Sequence, residues 1–164
     1  KYELAANTLC TYGMLRGYAD GTFHPDNGLT RAELCALLTQ TMRLHLPETG
    51  ATFSDVAKDS YYYKAVLWAV ENGITNGATE TTFAPNATCS RSQIVTFLYR
   101  SQKSPEATAE NPFTDVKAGA FYENAVLWAV KENITTGASA TTFDPAGSCT
   151  RGQIVTFLFR CMGK

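Results

Sequence analysis

Three arginines recur in one local setting: Thr30-Arg31-Ala32-Glu33, Ser90-Arg91-Ser92-Gln93 and Thr150-Arg151-Gly152-Gln153. Each tetrapeptide reads as a capping box at the start of a helix. The hydroxyl accepts from the amide three residues on, and the Glu or Gln reaches back to the N-cap amide. That pattern accounts for the first and fourth residues and leaves the second unexplained. A cation at the first helical position sits at the positive end of the helix dipole, where it costs roughly 0.3–1 kcal/mol. A bound anion reverses the sign, because guanidinium, helix amides and dipole then converge on one carboxylate or phosphate. An ion pair from each Arg to Asp55 or Asp115 of a neighbouring segment is the alternative that needs no ligand.

The elements that position these arginines are repeated. Displacing the sequence by 60 residues aligns Phe53-Ser54-Asp55-Val56 with Phe113-Thr114-Asp115-Val116, Trp68 with Trp128 and Arg91 with Arg151; between Phe53–Arg100 and Phe113–Arg160, 27 of 48 positions are identical without a gap. The register extends backwards, placing Gly17, Phe23, Pro25, Thr30 and Arg31 on Gly77, Phe83, Pro85, Ser90 and Arg91. The 164 residues therefore hold three copies, dividing near 1–52, 53–112 and 113–164, and the first lacks the opening Phe-x-Asp-Val.

Each copy reads as helix, long loop, helix. Ala65-Val66-Leu67-Trp68-Ala69-Val70 is apolar on every side and predicts a buried first helix ending before Gly73, whose counterparts Gly13 and Asn133 are the two residue types that favour a left-handed C′ position. The second helix carries apolar residues at i, i+3, i+4, as Ile94, Phe97 and Leu98. One such unit cannot cover both of its helices. The reading is all-α: three helix-loop-helix repeats sharing a core of first helices, a pseudo-threefold trimer around a central helical bundle.

Composition restricts function. The chain is 45% hydrophobic and 18% charged, with 14 Lys and Arg against 15 Asp and Glu and no basic run, which speaks against a protein that tracks nucleic-acid phosphates. No apolar stretch has the length of a membrane span, and the N-terminus has no signal-peptide pattern; a start at Lys1-Tyr2-Glu3-Leu4 suggests a piece of a longer protein. Cys89 and Cys149 fall on Leu29, Cys10 on Val70 and Cys35 on Val95, so they read as small hydrophobes; a Cys10–Cys35 disulfide is the open alternative, and no spacing suggests zinc. His24 and His45 lack counterparts in the other copies, and no nucleophile–base or carboxylate pair recurs, so no catalytic residue, metal or cofactor is expected. Trp68 and Trp128 read as core.

The combination of Phe53-x-Asp55-Val56, Tyr61-Tyr62, Val66-x-Trp68-Ala69, Gly73-Ile74-Thr75-Asn76-Gly77, Phe83-x-Pro85 and the Thr/Ser-Arg-x-Glu/Gln box resembles the S-layer homology domain. The resemblance covers the whole chain as three repeats. It implies a non-enzymatic, monomeric pseudo-trimer that anchors a larger, covalently continuous surface protein to the bacterial cell wall, outside the cell. The inter-repeat grooves would hold secondary cell-wall polysaccharide, an anionic glycan often ending in pyruvylated N-acetylmannosamine. By the same resemblance Arg31, Arg91 and Arg151 would contact the ketal carboxylate, and Asp55 and Asp115 would bind sugar hydroxyls or orient the arginine. Gly17, Gly77 and Gly137 would let backbone approach the sugar, and Tyr61 and Phe121 would wall the grooves. Gln93 and Gln153 depart from the usual Glu, preserving the cap and removing a charge. The missing first Phe-x-Asp-Val removes an acidic partner, so one groove is expected to be incomplete or supplied by residues outside this fragment. A structural or protein-interaction module, and a tether of outer membrane to peptidoglycan, are the competing readings.

Leu46-Pro47-Glu48-Thr49-Gly50 matches a sortase signal, but no apolar span and basic tail follow it, so an inter-repeat linker is the better reading.

Overall fold

The computed structural model describes residues 2–50 and 53–163 and contains six helices among them: α1 (Glu3–Thr11), α2 (Arg31–Thr41), α3 (Tyr63–Glu71), α4 (Arg91–Ser101), α5 (Glu123–Lys131) and α6 (Arg151–Met162). The odd-numbered helices are the first helices of the repeats and the even-numbered ones the second. All three capping boxes form in both directions, at Thr30/Glu33, Ser90/Gln93 and Thr150/Gln153. Gly13, Gly73 and Asn133 take φ of +67°, +66° and +55° just past the ends of α1, α3 and α5.

The helices pack between repeats. α2 lies against α3, α4 against α5, and α6 returns to α1, so the second helix of each copy covers the first helix of the next and the set closes on itself. The core is thus shared by first and second helices alternately, a refinement of the expectation that first helices alone would supply it. Trp68 and Trp128 are buried in it, as are Phe83, Phe143, Ile94 and Ile154. Cys35, Cys89 and Cys149 are buried free thiols, pushed by desolvation up to about 12, and serve as small hydrophobes. Cys10 departs from that reading: it is a free thiol on the exposed side of α1. Leu46 of the sortase-like stretch packs on the core and Glu48 pairs with Lys64 at 2.6 Å, as a docked linker would; Ala51 and Thr52 lie outside the described residues.

Around the axis, backbone replaces side chains. Isolated antiparallel bridges join Gly28 to Thr150, Thr30 to Thr88 and Ser90 to Ser148. The first two amides of each second helix donate to loop carbonyls of the following copy: Arg31 and Ala32 to Ala87 and Pro85, Arg91 and Ser92 to Gly147 and Pro145, Arg151 and Gly152 to Asn27 and Pro25. The third amide is taken by the cap hydroxyl. These are the groups a helix start otherwise leaves unsatisfied, so the expectation of free amides converging on an anion is corrected: the three copies consume them in joining to one another.

Asp55 and Asp115 secure the loops that provide those carbonyls. Asp55 accepts from the amides of Phe83 and Ala84, both at 2.8 Å, and Asp115 from Phe143 and Asp144 at 2.8 and 2.7 Å. Desolvation opposes ionisation of Asp115, yet the two amides and the nearby Arg91 charge outweigh it and hold the carboxyl below its usual range. A depressed folded value stabilises the fold above the ordinary carboxylate range, and this is lost as pH falls through the lowered value. Asp115→Ala should cost about 2–4 kcal/mol for two charge-assisted hydrogen bonds; the melting-temperature gap between wild type and Asp115→Asn should close as pH is lowered from about 6 towards 3. Glycine provides a second check. A Cβ on Gly77 (φ +93°) would lie 2.5 Å from the Phe53 ring, whereas one on Gly73 (φ +66°) meets nothing within 4 Å. Urea denaturation should therefore show Gly73→Ala losing about 1 kcal/mol and Gly77→Ala at least twice that.

Candidate functional site

Each recurrent arginine is buried and crosses from its own repeat into the next. Arg31 Nε donates to Phe83 O at 2.8 Å, Arg91 Nε to Phe143 O at 2.8 Å, and Arg151 Nε to Phe23 O at 3.1 Å. The guanidinium also lies over the ring of the same phenylalanine, at 4.7, 4.9 and 5.1 Å. A carbonyl oxygen and a π face offset the unfavourable dipole end that made the arginines conspicuous. Phe83 and Phe143 thus take a carboxylate on the amide and an arginine on the carbonyl of one residue. Asp55 and Asp115 act on the arginines through that residue, and the direct Asp–Arg ion pair weighed from sequence is not the contact formed.

The guanidinium edges that remain look into three grooves related by the repeat. The third groove, about 360 Å³, is lined by Arg91, Thr135, Thr136, Gly137, Gln153, Thr156, Phe157 and Arg160. The second, about 230 Å³, is its counterpart: Arg31, Thr75, Asn76, Gly77, Gln93, Thr96, Phe97 and Arg100, with Phe121 as an added wall. The first, about 150 Å³, has Arg151, Arg16, Gly17, Tyr18, Glu33, Ala36, Leu37, Gln40 and Tyr61. The structure therefore gathers Arg31, Arg91, Arg151, Gly17, Gly77, Gly137, Tyr61 and Phe121 onto groove walls. Asp55 and Asp115 stand behind the walls, on the loop amides. Tyr61 and Phe121 are 73% and 66% exposed, each set edge-on to the next tyrosine. Gly77 and Gly137 have a packing reason as well: a Cβ would lie 2.5 and 2.4 Å from the rings of Phe53 and Phe113.

The floor of each groove comes from the second helix, and sequence reading overlooked it. Gln93, Thr96, Phe97 and Arg100 share a face at i, i+3, i+4, i+7, as do Gln153, Thr156, Phe157 and Arg160. Polar residues recurring at that spacing from the capping Gln were the available signal. Arg100 and Arg160 are positioned by donating to Ile74 O and Ile134 O, each at 3.0 Å.

The grooves differ in charge and satisfaction. Arg31 Nη2 donates to Thr75 Oγ1 at 3.2 Å. Arg91 Nη2 is buried with no hydrogen-bond partner, the one such side-chain atom among the described residues. Arg151 Nη1 lies 3.8 Å from Glu33 Oε1. In the first copy Phe23 is only half-buried and the arginine bond is the longest of the three.

Among the described residues no cluster of three or more His, Cys, Asp or Glu could hold a metal, and no helix is long and apolar enough to cross a membrane. The S-layer homology domain family model matches residues 3–35, 52–95 and 112–155. A Surface-layer 125 kDa protein of Lysinibacillus sphaericus is 37% identical over 94 residues, 57% of this chain and 8% of that protein. A Cellulosome-anchoring protein of Acetivibrio thermocellus is 26% identical over 159 residues, 90% of this chain and 35% of its own length. An Amylopullulanase of Thermoanaerobacterium thermosulfurigenes is 25% identical over 162 residues, 95% of this chain and 9% of that enzyme. The chain thus spans a minor part of each relative. With three matched repeats covering most of its length, the chain belongs to the S-layer homology domain family.

Proposed function

We propose that this chain is a non-enzymatic anchoring module that holds a larger surface protein to the bacterial cell wall by binding an anionic wall polysaccharide in its inter-repeat grooves. The three repeats, bounded near residues 52 and 112, act as one monomeric unit outside the cell. The observation that carries the reading is the repeated groove itself: a buried arginine from one copy, a glycine loop and a Gln-Thr-Arg helix face from the next, all with little carboxylate nearby. Such a wall suits a polyhydroxylated ligand bearing a carboxylate, as a pyruvylated N-acetylmannosamine does. Linked grooves on a polymer with recurring sugars raise avidity through effective concentration without any single tight site. The surface-layer and cellulosome-anchoring relatives, matched over these repeats, support the anchoring role. The small share of amylopullulanase that is matched supports reading the module as separable from catalysis.

Purified sacculi should retain the chain, and chemical stripping of wall polysaccharide should release it. Retention unchanged by stripping would move the reading to a peptidoglycan tether, and no retention would overturn anchoring. Phe121→Ala should weaken retention several-fold with the melting temperature within about 2 °C of wild type, because an exposed ring contributes little to the core. Arg91→Ala should lower both, since the arginine joins two repeats as well as lining a groove.

A further inference from the structure

We infer that the three grooves are graded in anion affinity, and that the third groove, under Arg91 and Arg160, is the principal anion site while the first is largely self-neutralised. The inference takes the proposed glycan grooves as its setting but concerns charge alone. The third groove is lined by two arginines and no carboxylate, Asp115 acting on Arg91 from outside the lining, and Arg91 is 5% exposed with Nη2 unpartnered. A buried charged donor left unmatched is costly, so an anion against that guanidinium relieves a penalty as well as gaining attraction. The second groove has the same two cations, Arg31 and Arg100, but Thr75 already occupies Arg31 Nη2. In the first groove Gln40 stands where the others have Arg100 and Arg160, and Glu33 faces Arg151 at 3.8 Å; the exposed Arg16 is the remaining cation.

The device that sets the first groove apart from the other two is the fourth residue of the capping box. Glu33 caps Thr30 with Oε2 at 2.8 Å and presents Oε1 to Arg151. Gln93 and Gln153 cap Ser90 and Thr150 equally well, at 3.0 Å, with no charge. Exchanging Glu and Gln here changes groove charge and leaves the helix start intact.

The test is site-resolved NMR on the whole chain, reading the amides of Gly17, Gly77 and Gly137, one per groove. The probes are inorganic phosphate and the methyl glycoside of N-acetylmannosamine with and without its pyruvate ketal. Phosphate and the ketal sugar should shift Gly137 at the lowest concentration, Gly77 next and Gly17 last. Gln153→Glu should weaken the Gly137 response about tenfold and leave Gly77 unchanged, and Glu33→Gln should strengthen the Gly17 response by a similar factor, both with wild-type melting. Gly17 responding first or together with Gly137, no response to any probe, or an unchanged response in both variants, overturns the grading. Retention on sacculi with the wrong order rejects the grading and spares the anchoring role. The right order for phosphate without retention does the reverse.

Discussion

Everything in this fold hangs on an arginine that leaves its own repeat. Its Nε reaches a phenylalanine carbonyl in the next copy, its guanidinium covers that phenylalanine's ring, and the backbone amides beside it donate to the same loop. The series Arg31 to Phe83, Arg91 to Phe143, Arg151 to Phe23 closes a circle in which the last contact spans 128 residues of sequence. A helix-loop-helix of this size cannot bury both helices by itself. The circle is therefore the condition for a core and not an ornament on one.

The same contact creates the grooves. Taking up the helix-start amides removes the usual anion site, so what remains available to a ligand is one edge of each guanidinium, flanked by a loop glycine and a helix face. Stability uses one side of this side chain, and the proposed recognition would use the other. The first groove has the longest arginine bond of the three, 3.1 Å against 2.8 Å. Phe23 is half-buried, Tyr2 approaches it at 6.3 Å, and Tyr18 joins it beneath the Arg151 guanidinium. Local aromatics pack around this clamp, whose bond is 3.1 Å.

Much of this was legible in the sequence because it is encoded by residue type. Capping boxes need a hydroxyl and a Glu or Gln, C′ positions need Gly or Asn, and buried helices need an unbroken apolar run; all three signals located elements correctly. The arginine was legible as an anomaly but its partner was not, since a backbone carbonyl is present at every residue and has no sequence signature. For that reason Asp55 and Asp115, the visible acids, attracted an ion-pair reading that belongs to an amide. Arg100 and Arg160 were hidden differently: at the end of an apolar helix a lone Arg looks like a solvated terminus, and only the register with Gln93 and Gln153 reveals a shared face. Cys10 misled because alignment with Val70 reports the repeat position and not the exposure: Val70 is half-buried and Cys10 is exposed.

The inequality of the copies follows from which residues the ring constrains. Phe83, Asp55 and Arg31 are tied in a chain of contacts where any change leaves a buried polar group unmatched, at roughly 1–3 kcal/mol each. The fourth capping residue is tied only by its reach to the N-cap amide, which Glu33 and Gln153 satisfy at 2.8 and 3.0 Å. Its charge can change while the cap is kept, at roughly the 0.3–1 kcal/mol that a carboxylate gains at a helix N-terminus. Repetition conserves what closes the ring, and the positions beside it that face the groove are where one copy is able to differ from another. A module of three related units thereby holds one groove whose charge differs from that of the other two, without altering the fold that supports them.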